Sequence, residues 1–531
     1  MTGLNTLSHI EGKVDKMYMK RILLLISTLL ILSISLSACI SNMQVVEYPI
    51  TLKQVLTEAN ERNHSVVDNF SINNISDYYF DVDMDGFTAD ELEMLFTPGY
   101  MNGVKPENAK EDIDVLFRIL EGSYAGYAYF GGAQAFNQAK ADMLSEIETY
   151  GEKNISATDF ANLIRSHLDF VIDNHLLIGS IPLGFDEAYC WYDNNNYEYH
   201  RDSNGYYTMI KDEKWYLPEN MIYYLKYTIG TSGEIVYGLF YVGTDADKDQ
   251  LPEHLTLTRK NKEKDIEIKW GKVPSHSKPS VEYKLRDTDG FKTAVIAAFL
   301  ATQNTNTMIN DAKELSKEDY AIIDLRNNIG GLLPDVTMWM YNFANKEIYL
   351  KGTTLSYAGV VNDYWHRLMK VKFLEAYKEF DFVKEHPQIV NHIVNNESDV
   401  YTVTNVDDGI KRIDYNTQWT PRNGKVLFLL NGKENVSCGE YFIGTCKSLE
   451  NTLIVGTNSG GCLTTGDVNG SNILYLPNSK IGILYGSQLM FCEGSKDFDR
   501  YGIMPDIYIG TGDEAEAVAR CIRYYQTSTE E

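Results

Sequence analysis

The chain has 531 residues, too many for one simple core, and its 44% hydrophobic and 23% charged residues describe a folded globular protein rather than a disordered one. A formal net charge of −26 argues against nucleic acid or anionic lipid as a partner, because phosphate binding needs a basic surface.

The first 39 residues read as an export signal. Lys20-Arg21 precedes an apolar run from Ile22 to Leu36 that is too short for a confident membrane span and is followed by small residues. Six cysteines follow Cys39, namely Cys190, Cys438, Cys446, Cys462, Cys492 and Cys521. An even number in an exported protein permits disulfides, but no short repeated spacing suggests a disulfide framework or a zinc site. Most of the six therefore read as free and buried, and no metal or cofactor is expected.

Residues 40–105 read as a spacer rich in Asn, Asp and Tyr. Within it, Asp81-Val-Asp83-Met-Asp85-Gly86 imitates the start of a calcium-binding loop, but position twelve is Leu92 instead of a bidentate Glu, so an acidic turn is the better reading. Residues 106–180 read as a helical subdomain, with Ile113, Leu116, Phe117 and Leu120 at helix spacing, and Phe160, Leu163, Ile164 and Leu168 likewise. Residues 181–282 change to short aromatic and β-branched runs, such as Glu234-Ile-Val-Tyr-Gly-Leu-Phe-Tyr-Val242, and read as a β-rich module. Over 283–527 strands alternate with helices, which predicts an α/β core with a largely parallel sheet and crossover helices. Residues 346–412, acidic and aromatic, read as a helical insertion in that core.

Three segments of the core carry chemistry. The apolar strand Val426 to Leu430 breaks at Asn431-Gly432 and leads through Asn435-Val-Ser437-Cys438-Gly-Glu440 into a second apolar run. A serine at a helix mouth has backbone N–H groups and the positive dipole end beside it, which suit an oxyanion as well as a cap. On this segment alone Ser437 is better explained as an N-cap with Glu440 completing a capping box. The second segment is Asp324-Leu-Arg-Asn-Asn-Ile-Gly330-Gly331, where paired glycines let backbone N–H groups approach a ligand or simply make a tight turn. The third is the glycine-rich loop Val455-Gly-Thr-Asn-Ser-Gly-Gly-Cys462-Leu-Thr-Thr-Gly466, which lacks the Gly-Lys-Ser/Thr of a phosphate-binding loop.

Together with Gly502-Ile-Met-Pro505-Asp506-Ile507, these segments resemble the C-terminal-processing (tail-specific) protease family of serine peptidases, over roughly residues 108–180 and 283–510. The resemblance implies a crotonase-like ββα core, a polypeptide substrate and Ser437 as nucleophile, with an oxyanion hole from Gly330 or Gly331 and Cys438. In the Ser-Lys branch a lysine of the third segment is the base, but here Cys462 stands in its place and Val455 to Asp467 holds no Lys or Arg. The tricorn-like Ser-His branch resembles this chain at Leu163-Ile-Arg-Ser-His-Leu-Asp-Phe-Val-Ile-Asp173-Asn-His175, which makes His175 the expected base. That branch also implies an acidic partner for the imidazole just before the closing motif, Asp499 first and Asp497 second. Family members usually carry a PDZ domain where residues 181–282 stand, yet no carboxylate-binding Gly-Leu-Gly-Phe-type loop is evident there.

Leu36-Ser-Ala-Cys39 resembles the lipobox of bacterial lipoproteins, which implies lipidation of Cys39 and an extracytoplasmic protein tethered to the cell membrane. The expectation is therefore a membrane-tethered serine peptidase. The alternative is an inactive cell-surface binding protein on the same fold. An α/β-hydrolase would want Gly-x-Ser-x-Gly, which Asn435-Val-Ser437-Cys438 does not offer.

Overall fold

The computed structural model describes residues 45–80, 82, 86–184, 188–274, 281–388, 400–407, 409–468, 473–493 and 498–528. Cys39 and the signal segment, the acidic turn at Asp81, Asp83 and Asp85, and Asp497 lie outside the described residues. The chain divides into two compact units, Met1–Pro49 with His200–Tyr207, and the remainder. In the first, Glu47 bridges antiparallel to Asp202, and the Tyr207 hydroxyl donates to the Glu47 carboxylate at 2.7 Å.

The core is a six-stranded sheet in the order Tyr283–Thr288, Phe291–Ile296, Tyr320–Asp324, Val426–Asn431, Thr452–Gly456 and Ile507–Tyr508. The first pair is an antiparallel hairpin and every later pairing is parallel. Parallel neighbours need crossovers, and helices such as Gln303–Leu315 and Cys438–Cys446 supply them. Val426–Asn431 is buried throughout, as a strand covered on both faces should be. Its side chains alternate: Leu427 and Leu429 face a cluster with Trp339 and Phe442, whereas Val426, Phe428 and Leu430 face one with Val518 and Ile522.

That second face also takes Leu52, Val55 and Ala59 from the helix Leu52–Asn69, capped by Thr51. The supposed spacer thus contributes to the core. Its signal is thin because only one narrow stripe of an otherwise polar helix is buried. The helices Pro106–Ser123, Gly132–Glu148 and Ala157–His167 share a cluster that also holds Leu474, Ile481, Ile483 and Tyr485. Residues from the far end of the sequence therefore complete this helical region.

Within the second unit, residues 189–199 and 208–272 hold the strands of a large β-sheet module. Trp270–Lys272, Tyr189–Asp193, Ile235–Gly243 and Leu225–Ile229 pair antiparallel in that order, and His254–Arg259 forms a hairpin with Lys262–Glu267. The region 346–412 differs from expectation. Among its described residues the middle is helical (Val360–Tyr377 and Asp381–Glu385), while Gly352–Tyr357, Tyr401–Asp407 and Ile410–Tyr415 are strands. They extend a five-stranded antiparallel sheet that continues through Gly486–Phe491 and ends on Thr465–Val468. The β-branched run Thr353-Thr354 and alternating Thr402-Val403-Thr404 fit a pleated surface better than a helix. All six described cysteines are free thiols.

Candidate active site

Ser437 occupies the sharp turn between the strand Val426–Asn431 and the helix Cys438–Cys446. Its backbone angles are φ 55° and ψ −122°, a region that side-chain-bearing residues rarely enter and that costs roughly 1–3 kcal/mol. Several contacts hold it there. The Val436 N–H donates to the Asn328 carbonyl at 3.0 Å, the Asn435 amide reaches Asn431 Oδ1 at 2.9 Å, and the Ser437 N–H donates to Glu440 Oε2 at 3.0 Å. The hydroxyl is thereby displayed at the mouth of the helix.

Glu440 is fully buried beneath this turn. Besides Ser437 it accepts the N–H groups of Gly461 and Cys462, each at 2.8 Å, and the Ser459 hydroxyl. One carboxylate thus ties the serine turn to the glycine-rich loop. Burial pushes its pKa up to about 7. The closing motif grips the same loop: Ile503 N–H donates to Ser459 Oγ at 2.6 Å, and Asp506 accepts the Ile454 N–H at 2.8 Å.

The Ser437 hydroxyl faces His175, with Oγ 3.0 Å from Nε2. The other ring nitrogen lies 2.7 Å from the Thr465 carbonyl oxygen, which can only accept. Nδ1 therefore carries the hydrogen, and Nε2 presents its lone pair to the serine. Burial lowers the imidazole pKa below its ordinary value, while the Asp173 charge and the Thr465 carbonyl oppose that shift in part. A neutral histidine aimed at a serine hydroxyl is equipped to take its proton.

Asp499 does not reach the imidazole. Its Oδ1 accepts the N–H groups of Leu463 at 3.0 Å and Thr464 at 2.9 Å, and its Oδ2 accepts the Asn174 N–H at 3.1 Å. These backbone donors fill the shorter Asp side chain's reach, so it ties the glycine-rich loop to the histidine turn. Burial and then the neighbouring Asp173 charge push its pKa up. Asp173, fully buried, is the carboxylate nearest the histidine backbone: its Oδ1 accepts the His175 N–H at 2.8 Å. Neither Asp173 nor the Thr465 carbonyl is singled out by sequence reasoning, although Asp173 stands in the Asp-x-His turn it quotes.

The oxyanion candidates also separate. The Gly330 N–H donates to Asn328 Oδ1 at 2.8 Å and is thus occupied. Among the described residues, the N–H groups of Gly331 and Cys438 have no partner. Gly331, at φ +133°, packs so tightly that a Cβ would stand 2.0 Å from the Phe299 carbonyl oxygen. Arg326, from the same motif, is remote from the chemistry and forms a buried ion pair with Asp324 at 2.7 Å and another with Glu514. Cys462, in the glycine-rich loop, buries its thiol, and burial raises the thiol pKa well above the usual range. His167 pairs with Glu146 at 2.8 Å, away from the serine.

No curated protein matches the chain. Among solved structures, mature CPAF is similar at 16% identity, with 80% of this chain and 97% of that one covered and a TM-score of 0.39. The photosystem II D1 C-terminal processing protease is similar at 14% identity, with 78% and 96% covered and a TM-score of 0.33. A lipoprotein from Streptococcus agalactiae is similar at 10% identity, with 82% and 99% covered and a TM-score of 0.33. Residues 294–509, the stretch that holds Gly331, Ser437, Cys438 and Thr465, match the model of Peptidase family S41.

Proposed function

We propose that this protein is a serine peptidase of the Ser-His type, with Ser437 as nucleophile and His175 as base, built on a crotonase-like core. The observation that carries the reading is the 3.0 Å approach of His175 Nε2 to Ser437 Oγ while Nδ1 is held by the Thr465 carbonyl. Oγ attacks the carbonyl carbon of a peptide bond as its proton passes to Nε2. The N–H groups of Gly331 and Cys438 receive the developing oxyanion. The imidazolium returns the proton to the leaving amine, which departs and leaves an acyl-serine. Water, deprotonated in turn by Nε2, attacks that ester and restores the serine. Every step uses groups of this chain.

The same proposal places the protein outside the cytoplasm, anchored to the cell membrane through a lipidated, palmitate-bearing Cys39, because Leu36-Ser-Ala-Cys39 follows an export-type apolar run. Membrane fractions of cells fed a palmitate analogue test the anchor: the label should follow the protein and vanish in Cys39→Ala.

A fluorophosphonate probe tests the chemistry. Wild type should be labelled, and Ser437→Ala and His175→Ala should not. Labelling that survives Ser437→Ala would overturn the nucleophile, and a silent wild type would favour the cell-surface binding protein.

A further inference from the structure

In the expected triad a carboxylate meets the imidazole at Nδ1, and here a backbone carbonyl stands in that place. A carbonyl orients a ring as well as a carboxylate does, but it carries only a partial charge. It is also only as well placed as its strand. Something must hold Thr465 and His175, which are 290 residues apart, in one fixed register.

Asp173 spans that gap. It lies two residues before His175 and is wholly buried. Oδ1 accepts the His175 N–H at 2.8 Å, while Oδ2 accepts the Thr465 hydroxyl at 2.9 Å and the Tyr124 hydroxyl at 2.7 Å. One rigid carboxylate thus grips the backbone of the base and the residue whose carbonyl fixes that base, and Tyr124, at the end of its own helix, braces it from behind. We propose that Asp173 is the positioning residue of this site, performing at one remove what a triad acid performs by contact. The proposal rests on the serine–histidine reading of the site.

Its electrostatic side is equally defined. The titratable groups around Asp173 are Tyr124, His175, Cys462 and Asp499, with Glu440 beyond Cys462. Tyr124 and Cys462 stay neutral, because burial raises both far above neutrality. The Asp173 charge favours the imidazolium formed during catalysis, and burial opposes it. Tyr124 donates to that charge and thereby moderates it.

The test compares fluorophosphonate labelling rates against pH in the full-length protein for wild type, Asp173→Asn, Tyr124→Phe, His175→Ala and Ser437→Ala. Asp173→Asn should slow labelling roughly 10- to 100-fold, the usual scale for an outer-shell partner, and shift the acidic limb to lower pH. Tyr124→Phe keeps the charge but removes a donor to it, so its limb should shift to higher pH. A purely structural role predicts no such pair of opposite shifts. Unshifted limbs in both variants, with His175→Ala and Ser437→Ala silent, would overturn the proposal and leave the serine–histidine reading intact. Undiminished labelling of His175→Ala would instead overturn that reading. If thermal melting shows Asp173→Asn to be unfolded, Tyr124→Phe decides alone, and an unmoved limb there overturns the proposal.

Discussion

Gly330 lies against Ser437 so closely that a methyl group on it would stand 2.7 Å from the serine Cβ and 3.1 Å from its Oγ. The glycine itself sits at φ +81°, where side chains are strained. Both facts forbid any larger residue beside the hydroxyl. Gly330→Ala should lower the labelling rate at least 100-fold, because displacing a reacting atom by about 1 Å has that effect, and should destabilise the fold by about 1–2 kcal/mol. Labelling kinetics and thermal melting measure the two effects separately. Near-normal labelling would mean that the turn is more adaptable than its packing implies.

Activity should persist into mildly acidic solution. Neutral His175 is the reactive form, so the labelling rate falls as pH drops through the His175 pKa. Burial holds that pKa below the ordinary imidazole value of about 6.5, so the midpoint of the acidic limb belongs below it. A midpoint above that value would show that the charge of Asp173 outweighs desolvation.

Stability should run the other way on the pH axis. Burial raises the pKa of Glu440, and of Asp335 buried in the first turn of the helix Leu333–Ala344, each to about 7, well above an unfolded carboxyl. Between the unfolded and folded values the native state holds more protons, so the stability they contribute is complete at low pH and declines as pH rises toward 7. Each group contributes a slope of at most about 1.4 kcal/mol per pH unit. Melting temperatures from pH 4.5 to 7.5 should fall, and Glu440→Gln should flatten the slope.

Asp499→Asn offers a contrast with a true triad acid, whose amidation costs about 10⁴ in turnover. Asp499 accepts the backbone N–H groups of Leu463, Thr464 and Asn174 and a side-chain hydrogen bond from Thr464, so its amide should cost mainly stability, with labelling reduced less than 100-fold. A 10⁴-fold loss at an unchanged melting temperature would restore it as the partner of His175.

Cys438 is placed to contribute through its backbone N–H. Its thiol donates to the Gly331 carbonyl at 3.0 Å. Cys438→Ala keeps the N–H and should label within a few-fold of wild type, and a complete loss would assign the thiol a part in the chemistry.

Much of this site was legible because its parts leave marks in residue identity. Ser437 and the Gly330-Gly331 pair are short local patterns at strand ends. His175 emerged only through resemblance, since a histidine after a helix has many uses. The Thr465 carbonyl left no mark, because every residue has one. Asp499 shows a related limit: proximity in a motif indicates the neighbourhood of a carboxylate and says nothing of which donors claim its oxygens. The strands inside 346–412 were hidden by aromatic and acidic neighbours, and their partner Gly486–Phe491 lies far along the chain.

His175, Ser437 and Thr465 come from three stretches of the chain, the first two separated by 262 residues. Until the helical region, the serine turn and the strand end have docked together, the Ser437 hydroxyl does not meet His175 and the imidazole has no fixed tautomer. An extended chain therefore holds the parts of the site without their geometry. On the serine–histidine reading, topology alone assembles the reacting pair, and the chemistry begins only where the folding ends.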